Sequence, residues 1–326
     1  MSKTISRRSF LKGGLAACAL TAIGLSEEAN AAPSTQLATL LDIRKCIGCG
    51  ACVEACKETN GKKYPEPKKP FPKMVPERVK VEDWSNKREV YDRLTPYNWL
   101  YIQSAQVNYQ GKDYNLTMPR RCMHCTNPPC VKLCPWGAAK QLSNGISRLD
   151  PNLCLGGAKC KEVCPWSIPQ RQTGVGLYLD ILPSLAGNGV MYKCDRCYDR
   201  VAQGKLPACI EVCPEKVQEI GPRDEILKKA HALAAQIGGF IYGEKENGGT
   251  NTIYVSPVPF DVLSKAVETG PGKPHLKAVS DSMKEGNNLV AAMAIAPLAG
   301  IAAAVGTIYR KTKNSGKEET DEVQKS

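Results

Sequence analysis

The stretch CIGCGACVEAC, residues 46–56, carries cysteines in the spacing C-x2-C-x2-C-x3-C. Three related groups follow it along the chain. They read CMHCTNPPCVKLCP from residue 122, CLGGAKCKEVCP from residue 154 and CDRCYDRVAQGKLPACIEVCP from residue 194. Every group ends in C-x3-C, and a proline follows the last cysteine in all groups except the first. An internal repeat of this kind defines the architecture of a chain.

The spacing has a chemical reason. A C-x2-C-x2-C loop wraps one corner of a small iron–sulfur cluster, and the x3 step enters a helix that turns the fourth cysteine toward a neighbouring cluster. Proline then fits a position where no amide donor is needed. The second group widens one gap to x4 and the fourth widens one to x11. We interpret both changes as loop insertions that leave the final C-x3-C intact.

Other uses of cysteine fit less well. The chain has 16 cysteines, and 15 of them lie between Cys46 and Cys213. This odd number, and cysteines only two or three residues apart, disfavour disulfides. Structural zinc uses C-x2-C pairs but does not require C-x3-C-P in every group. No C-x-x-C is followed by His, which excludes c-type haem. A zinc-stabilised scaffold remains the non-redox alternative.

The whole pattern resembles the four-cluster iron–sulfur electron-transfer subunits of the dimethyl-sulfoxide-reductase family. The resemblance is closest to the membrane-anchored hydrogenase-2 type (HybA-like) subunit, and it includes CMHC, LPACIEVCP and YGEKENGGT at residues 242–250. It implies an α+β fold of tandem bacterial-ferredoxin-like modules, each holding two 4Fe-4S clusters, with inserted loops. It also implies a single C-terminal transmembrane helix.

In that family, each cluster takes three cysteines from one group and the fourth from a partner group. Carried onto this chain, cluster 1 takes Cys46, Cys49, Cys52 and Cys213, and cluster 2 takes Cys194, Cys197, Cys209 and Cys56. Cluster 3 takes Cys122, Cys125, Cys130 and Cys164, and cluster 4 has Cys154, Cys160 and Cys134. The resemblance implies no catalytic residue in this chain.

Gly157 stands where a cysteine would complete the third group. Glycine offers no donor atom, whereas a 3Fe-4S cluster needs only three thiolates. We therefore expect three 4Fe-4S clusters and one 3Fe-4S cluster, and the loss of the fourth iron generally raises the reduction potential. The alternative is four 4Fe-4S clusters, with water or a nearby side chain on the last iron.

The N-terminal residues resemble a twin-arginine export signal. SRRSFLK at residues 6–12 precedes an 11-residue apolar run, which is too short to span a bilayer, and a small-x-small pattern at residues 29–31. This export route carries folded proteins, so a cofactor can be inserted before export. The residues before Cys18 also fit a lipoprotein cleavage box, but almost no apolar stretch precedes them.

The C-terminal residues predict a membrane anchor. Residues 289–309 carry no charge and are followed by Arg310, Lys311 and Lys313. A helix of this length spans about 31 Å, which matches the hydrocarbon core, and the basic flank places the tail in the cytoplasm. The alternative is a buried helix, since Pro297 interrupts a mildly apolar run. We predict a signal peptide at 1–31, a four-cluster domain at 32–286, an anchor at 287–310 and a cytoplasmic tail at 311–326.

Net charge of +12 invites a nucleic-acid interpretation, but an exported chain at the periplasmic face of the membrane does not meet nucleic acid. Clusters bound by thiolates are anionic and would offset most of the excess.

Several other segments carry weaker predictions. Residues 62–73 predict an extended surface loop, and 83–114 could be a covering lobe, a partner surface or ordinary core. Residues 216–220 and 252–255 favour strands, 224–237 a helix ended by glycine, and 256–288 a tether to the membrane. We do not expect His124, inside CMHC, to be a ligand.

The sequence thus predicts an electron-transfer subunit without a catalytic constellation of its own. Its implied partners are a periplasmic catalytic subunit, either a hydrogenase or a molybdopterin oxidoreductase, and an integral membrane quinone-reactive subunit. A multihaem cytochrome could replace either partner. The alternative is a free-standing, membrane-tethered ferredoxin that shuttles electrons to or from multihaem cytochromes.

Overall fold

The computed structural model describes residues 36–74, 77–181 and 188–284. The predicted signal peptide, anchor and cytoplasmic tail lie outside these ranges, so their boundaries stay predictions. Within the described ranges, no helix is both long enough and apolar enough to cross a membrane.

Ten strands and eight α-helices lie in the described ranges. The strands are β1 (Leu37–Asp42), β2 (Tyr101–Tyr109), β3 (Lys112–Arg120), β4 (Ala139–Gln141), β5 (Ser147–Leu149), β6 (Gln170–Gln172), β7 (Val190–Tyr192), β8 (Gln218–Pro222), β9 (Phe240–Tyr242) and β10 (Thr252–Ser256). The helices are α1 (Ala51–Asn60), α2 (Pro129–Lys132), α3 (Lys159–Glu162), α4 (Tyr178–Ile181), α5 (Tyr198–Ala202), α6 (Ala208–Glu211), α7 (Arg223–Ile237) and α8 (Phe260–Ala266). Short 3-10 turns lie at Ile43–Lys45, Gly61–Lys63 and Glu246–Gly248.

A four-stranded sheet in the order β8-β1-β10-β9 brings the two ends of the described chain together. β1 pairs parallel with β10, with Leu40 opposite Ile253, and the other two pairings are antiparallel. The apolar face of α7 packs on this sheet through Ile226, Ala230 and Ala234. Gly238 ends α7 in the left-handed conformation, at φ 60°, as the sequence predicts.

A long hairpin of β2 and β3 lies between the first two cysteine groups. Its two-residue turn, Gln110-Gly111, has positive φ at both positions, which matches the twist of the flanking strands. The aromatic side chains of Tyr97, Trp99 and Tyr101 are buried. Of the three possibilities for residues 83–114, the structure therefore shows ordinary core for these residues.

The predicted tether is wrong for the described part of residues 256–288. Pro259 caps the start of α8, and Leu263 and Leu276 are fully buried. The side chain of Gln103 on β2 donates hydrogen bonds to the carbonyl oxygens of Glu268 and Pro274 at 3.0 and 3.2 Å. The prolines start a helix and shape a turn against the hairpin, so this segment belongs to the core through Lys284.

Short helices carry the C-x3-C half of each cysteine group, as the repeat predicts. Cys52 and Cys56 lie on α1, Cys130 on α2, Cys160 on α3 and Cys209 on α6. Two small antiparallel ladders, β4–β5 and β6–β7, lie between the later groups along the chain. The described chain is therefore a mixed α and β structure in which loops and short helices position the cysteines.

Candidate metal centres

The first centre, site 1, is a small cavity lined by four thiols. Gly48 and Gly50 have φ of 70° and 78°, so the loop before α1 can turn around the cavity. The hydroxyl of Thr117 donates to the Cys46 carbonyl at 2.8 Å and attaches this loop to β3. Its cysteines are Cys46, Cys49, Cys52 and Cys213.

The second centre, site 2, is a small cavity whose four cysteines are all buried. Cys52 and Cys56 lie one turn apart on α1, and this helix supplies Cys52 to site 1 and Cys56 to site 2. Site 2 therefore receives a ligand candidate from the first group, in agreement with the crossed pattern. Its cysteines are Cys56, Cys194, Cys197 and Cys209.

Sites 3 and 4 are recognised from thiols whose charges act on one another. The Cys125 thiol interacts with Cys164, Cys122 and Cys130, which together we call site 3. The Cys160 thiol interacts with Cys154, Cys130, Cys134 and Cys164, and we call Cys154, Cys160 and Cys134 site 4 after the ligand set that the resemblance implies. The structure therefore brings the second and third groups together, and the exchange of their last cysteines stays a prediction.

Gly157 lies exposed beside site 4, and its backbone does not need glycine. Its φ lies outside the left-handed region, and a β-carbon added there would meet no atom within 4 Å. At the neighbouring Gly156, φ is 66° and an added β-carbon would lie 2.4 Å from the Gly189 carbonyl oxygen. Position 157 thus has room for a side chain, whereas position 156 does not.

Hydrogen bonds reach the sulfurs at all four sites. At site 3, the side-chain amide of Asn247 donates to Cys125 at 3.3 Å. At site 2, the Asn60 amide lies 3.7 Å from the Cys56 sulfur and 3.9 Å from that of Cys197. Backbone amides donate to five further cysteine sulfurs at 3.3–3.5 Å. The pairs, donor first, are His124 to Cys122, Ala139 to Cys134, Met191 to Cys154, Arg196 to Cys194 and Val217 to Cys213. Such donors stabilise negative charge on sulfur.

Burial keeps the thiols of Cys52, Cys130 and Cys194 protonated at neutral pH when no metal is bound. Desolvation, followed by the charges of Cys209 and other thiols, raises the pKa of Cys52 to about 12. Desolvation likewise raises the pKa of Cys194 to about 12 and that of Cys130 to about 11. A coordinating metal ion replaces the proton of a thiol, so metal binding at these sites would release the thiol protons.

Three buried cations surround sites 2 and 3, and sequence reasoning missed all of them. Arg121, Lys193 and Arg196 are each less than a tenth exposed. Arg121 donates to the Cys209 sulfur at 3.5 Å, and Arg196 donates to the carbonyl oxygen of Asn251 at 2.7 Å. Within the described ranges, none of the three makes an ion pair with a carboxylate.

Nearby charges shift the pKa values of these buried cations. Burial acts to lower the pKa of Lys193, but negative charge at Cys122, Cys130 and Cys194, once these thiols have lost their protons, and at Asp195 outweighs burial and raises it above its ordinary value. Burial and the neighbouring Arg121 lower the pKa of Arg196 to about 10. All three side chains are therefore cationic at neutral pH. One signal could have found two of them, since Arg121 and Lys193 each directly precede the first cysteine of a group.

The donor set fits anionic iron–sulfur clusters. Sites 1 and 2 place four thiols around an open cavity, and buried cations without carboxylate partners lie beside them. A buried unpaired charge is costly, so an anion bound beside these cations would offset that cost. In the part of the chain that the structure describes, no three His, Cys, Asp or Glu side chains converge as for a single metal ion.

His124 is fully buried. Within the described ranges, no hydrogen bond joins its ring to a cysteine sulfur. Its Nδ1 accepts a hydrogen bond from the Ser147 backbone amide at 3.2 Å. Desolvation, with repulsion from Arg196 and Lys193, lowers its pKa well below the ordinary value, so the ring is neutral. The other ring nitrogen, Nε2, is buried without a hydrogen-bond partner among the described residues, and whether His124 is a ligand stays a prediction.

Comparison with known proteins gives two domain matches in tandem. A family described as a 4Fe-4S dicluster domain matches residues 45–138, and a second family of the same description matches residues 114–223. The twin-arginine translocation signal matches residues 4–24. This signal indicates export across the membrane to the periplasmic side. The predictions of iron–sulfur binding and of a twin-arginine signal are thereby confirmed.

The chain is similar to three relatives, of which the third meets the identity and coverage that show the family. A Nitratidesulfovibrio vulgaris protein is 32% identical over 236 residues, which cover 71% of this chain but only 57% of that protein. The hydrogenase-2 operon protein HybA of Escherichia coli O157:H7 is 28% identical over 353 residues, covering 95% of this chain and 97% of HybA. A subunit of the anaerobic dimethyl sulfoxide reductase of Escherichia coli K12 is 32% identical over 202 residues, covering 62% of this chain and 81% of that subunit.

The tandem dicluster domains, the four cysteine sites and these relatives agree with one another. The chain belongs to the iron–sulfur electron-transfer subunits of the dimethyl-sulfoxide-reductase family, and within it to the HybA-like type.

Proposed function

We propose that this subunit relays electrons between a periplasmic catalytic subunit and a quinone-reactive membrane partner through four clusters in a row. One observation carries the proposal: the thiols of successive sites act on one another. Cys52 of site 1 interacts with Cys209 of site 2, Cys194 of site 2 with Cys122 of site 3, and Cys130 of site 3 with Cys160 of site 4. This neighbourhood supports the order 1-2-3-4.

The ligand sets are those that the resemblance implies. Sites 1, 2 and 3 would each hold a 4Fe-4S cluster on four thiolates, and site 4 would hold a 3Fe-4S cluster on Cys154, Cys160 and Cys134. Bound clusters would supply one-electron carriers. The chain's own groups bind them, donate hydrogen bonds to their sulfurs and exclude water.

Gly157 supports the three-iron form at site 4. Site 4 offers three thiols, and no side chain at position 157 can add a fourth donor. The open space around Gly157 supports the view that the missing thiol reflects cluster chemistry, since the backbone would accept a larger residue. A higher reduction potential there suits the end of the row that faces a quinone or a haem.

Exposed apolar side chains lie near both ends of the row. Ile47 and Val212 are 64% and 43% exposed and belong to the segments that form site 1. Leu133, Trp136 and Leu153 are 43%, 59% and 42% exposed and flank Cys134 and Cys154 of site 4. Single exposed apolar side chains are common on protein surfaces, so the support for partner surfaces comes from the position of these side chains at the two ends of the row. We assign the catalytic subunit to the site 1 end and the membrane partner to the site 4 end.

The catalytic partner is a hydrogenase or a molybdopterin oxidoreductase. The relatives support both, since their names refer to hydrogenase-2 and to dimethyl sulfoxide reductase. The apolar run at residues 289–309 and its basic flank support a C-terminal anchor beside the membrane partner. The alternative is a tethered carrier that forms no permanent complex.

Co-purification separates the two possibilities. The full-length chain is extracted from its own membranes in mild detergent, and we expect a catalytic and a membrane subunit to accompany it at constant stoichiometry. Trp136→Asp should release the membrane subunit only, because it places a charge in the site 4 patch. Val81→Asp is the matched control, since Val81 is 49% exposed and lies outside both patches. A monomer that still contains iron would contradict the relay and favour the free-standing carrier.

A further inference from the structure

We propose that Asn247 raises the reduction potential of the cluster at site 3 through its hydrogen bond to Cys125, and that Ser282 is the positioning residue that holds the Asn247 amide in place. This role rests on the proposed function, because it requires a cluster on the thiolates of site 3.

The side chain of Asn247 ends at a sulfur of site 3. Asn247 is fully buried in the 3-10 turn Glu246–Gly248, and its side-chain amide donates to the Cys125 sulfur at 3.3 Å. The backbone holds this turn against the loop of Cys125, since the Thr126 amide donates to the Gly249 carbonyl oxygen at 3.0 Å. The hydrogen bond to sulfur therefore joins two segments that the backbone already keeps together.

The oxygen of the same amide is fixed by the C-terminal part of the described chain. Oδ1 of Asn247 accepts hydrogen bonds from the backbone N–H of Ser282 at 3.0 Å and from the Ser282 hydroxyl at 2.7 Å. The backbone N–H of Asn247 donates to the Val279 carbonyl oxygen at 2.9 Å. A flipped amide would place its NH2 group against the N–H of Ser282, and two donors repel each other. Ser282 therefore determines that the nitrogen of the amide, which is the donor, faces the sulfur.

The segment that carries Ser282 is also attached on the Cys164 side of site 3. The indole N–H of Trp166, two residues after Cys164, donates to the Tyr242 hydroxyl at 2.8 Å. This hydroxyl donates in turn to the Lys277 carbonyl oxygen at 2.9 Å. The segment is therefore fixed at two points of site 3, and it can hold the Asn247 amide in one orientation.

Asn60 at site 2 is held differently. Its amide lies 3.7 and 3.9 Å from the sulfurs of Cys56 and Cys197, and it donates to the Cys56 carbonyl oxygen at 2.9 Å. Its Oδ1 is buried without a hydrogen-bond partner among the described residues. Asn247 has the shorter contact with sulfur and an oxygen held by two donors, so we assign the effect on potential to Asn247.

A hydrogen bond to a ligand sulfur favours the reduced cluster. A cluster held by four thiolates is an anion, and reduction adds one more negative charge that its sulfurs share. A donor to sulfur stabilises negative charge, so it stabilises the reduced form more than the oxidised form. Removal of the Asn247 donor should therefore make this cluster harder to reduce.

The test compares the full-length, anaerobically purified chain with four variants. Asn247→Gly removes the amide and suits the backbone, because glycine readily adopts the φ of 54° at this position. Gln110→Gly is the matched control, since Gln110 has a φ of 53°, is exposed and lies in the hairpin turn. Ser282→Ala removes the hydroxyl donor, and Ser282→Thr keeps it. Iron per chain is counted, and reduction is followed by electron paramagnetic resonance at controlled potentials.

In Asn247→Gly, we expect one four-iron cluster to become harder to reduce by about tenfold in the ratio of reduced to oxidised form, which corresponds to about 59 mV for a one-electron couple. Ser282→Ala should shift the same cluster in the same direction but by less, because the backbone N–H of Ser282 still holds the amide. Ser282→Thr and Gln110→Gly should keep the original potentials. The iron content should be the same in all four variants.

Unchanged potentials in an Asn247→Gly chain with full iron would overturn the proposal. A shift in Asn247→Gly without one in Ser282→Ala would overturn the positioning role of Ser282. If Asn247→Gly loses iron, unchanged potentials in Ser282→Ala would overturn the proposal, whereas a shift that is absent from Ser282→Thr would support it. An unaltered chain without iron would contradict the cluster assignment itself.

Discussion

Gly156 and Gly157 stand side by side and are glycines for different reasons. A side chain at Gly156 would collide with the Gly189 carbonyl, whereas one at Gly157 would enter open space. The first glycine is required by the backbone, and the second, in our proposal, leaves one corner of the site 4 cluster without a donor. Only the contacts around each residue distinguish the two.

We predict that Gly157→Cys folds normally and converts site 4 into a four-thiolate site. The added thiol meets no clash, and it supplies the ligand that a fourth iron needs. The oxidised-state resonance of the three-iron cluster should disappear, with a gain of about one iron per chain. Gly61→Cys is the control, since it also adds a thiol in open space. An unchanged resonance in Gly157→Cys would argue against a ligand role for this position.

At this scale, the motifs predicted that the chain binds iron–sulfur clusters, because ligand spacing is a local property, while the assignment of cysteines to each cluster stays a prediction. They did not predict the buried cations. Lys45 and Lys193 each precede the first cysteine of a group, yet Lys45 is exposed and Lys193 is buried. The burial of each lysine depends on which distant segments of the chain cover it. The residue type and its neighbours in sequence do not predict this burial.

Among the elements, helices with a clear apolar stripe were predictable and irregular segments were not. The stripe and terminal glycine of residues 224–237 predicted α7 to within one residue. The segment after β10 was predicted to be a tether because prolines dominate it. Its burial comes from the hairpin of β2 and β3, whose contacts with it are long-range.

We predict that Leu263→Ala destabilises the cluster-loaded chain by about 2–5 kcal/mol, because the substitution leaves a cavity beside the hairpin. Loss of visible cluster absorbance in guanidinium chloride would measure the change as a lower midpoint. Lys265→Ala, on the exposed face of the same helix, should shift stability by less than about 0.5 kcal/mol. Equal midpoints for the two variants would mean that the segment is a tether after all.

At the scale of the whole molecule, the repeat predicted tandem ferredoxin-like modules and the signal predicted export. The sequence could not predict that β1 and β10 pair in parallel, because no local pattern links Leu40 to Ile253. The net charge of +12 also has a partial explanation in the structure. Part of it is buried beside thiols, where anionic clusters would balance it.

The most direct test of the four-cluster relay is low-temperature electron paramagnetic resonance on the anaerobically purified chain, with iron and zinc counted on the same sample. We predict about 15 irons per chain, from three four-iron clusters and one three-iron cluster. A near-isotropic resonance should be present in the oxidised state and vanish on mild reduction. About 16 irons and a silent oxidised sample would contradict the three-iron site while leaving the relay intact. A colourless chain that contains zinc and little iron would contradict the account as a whole.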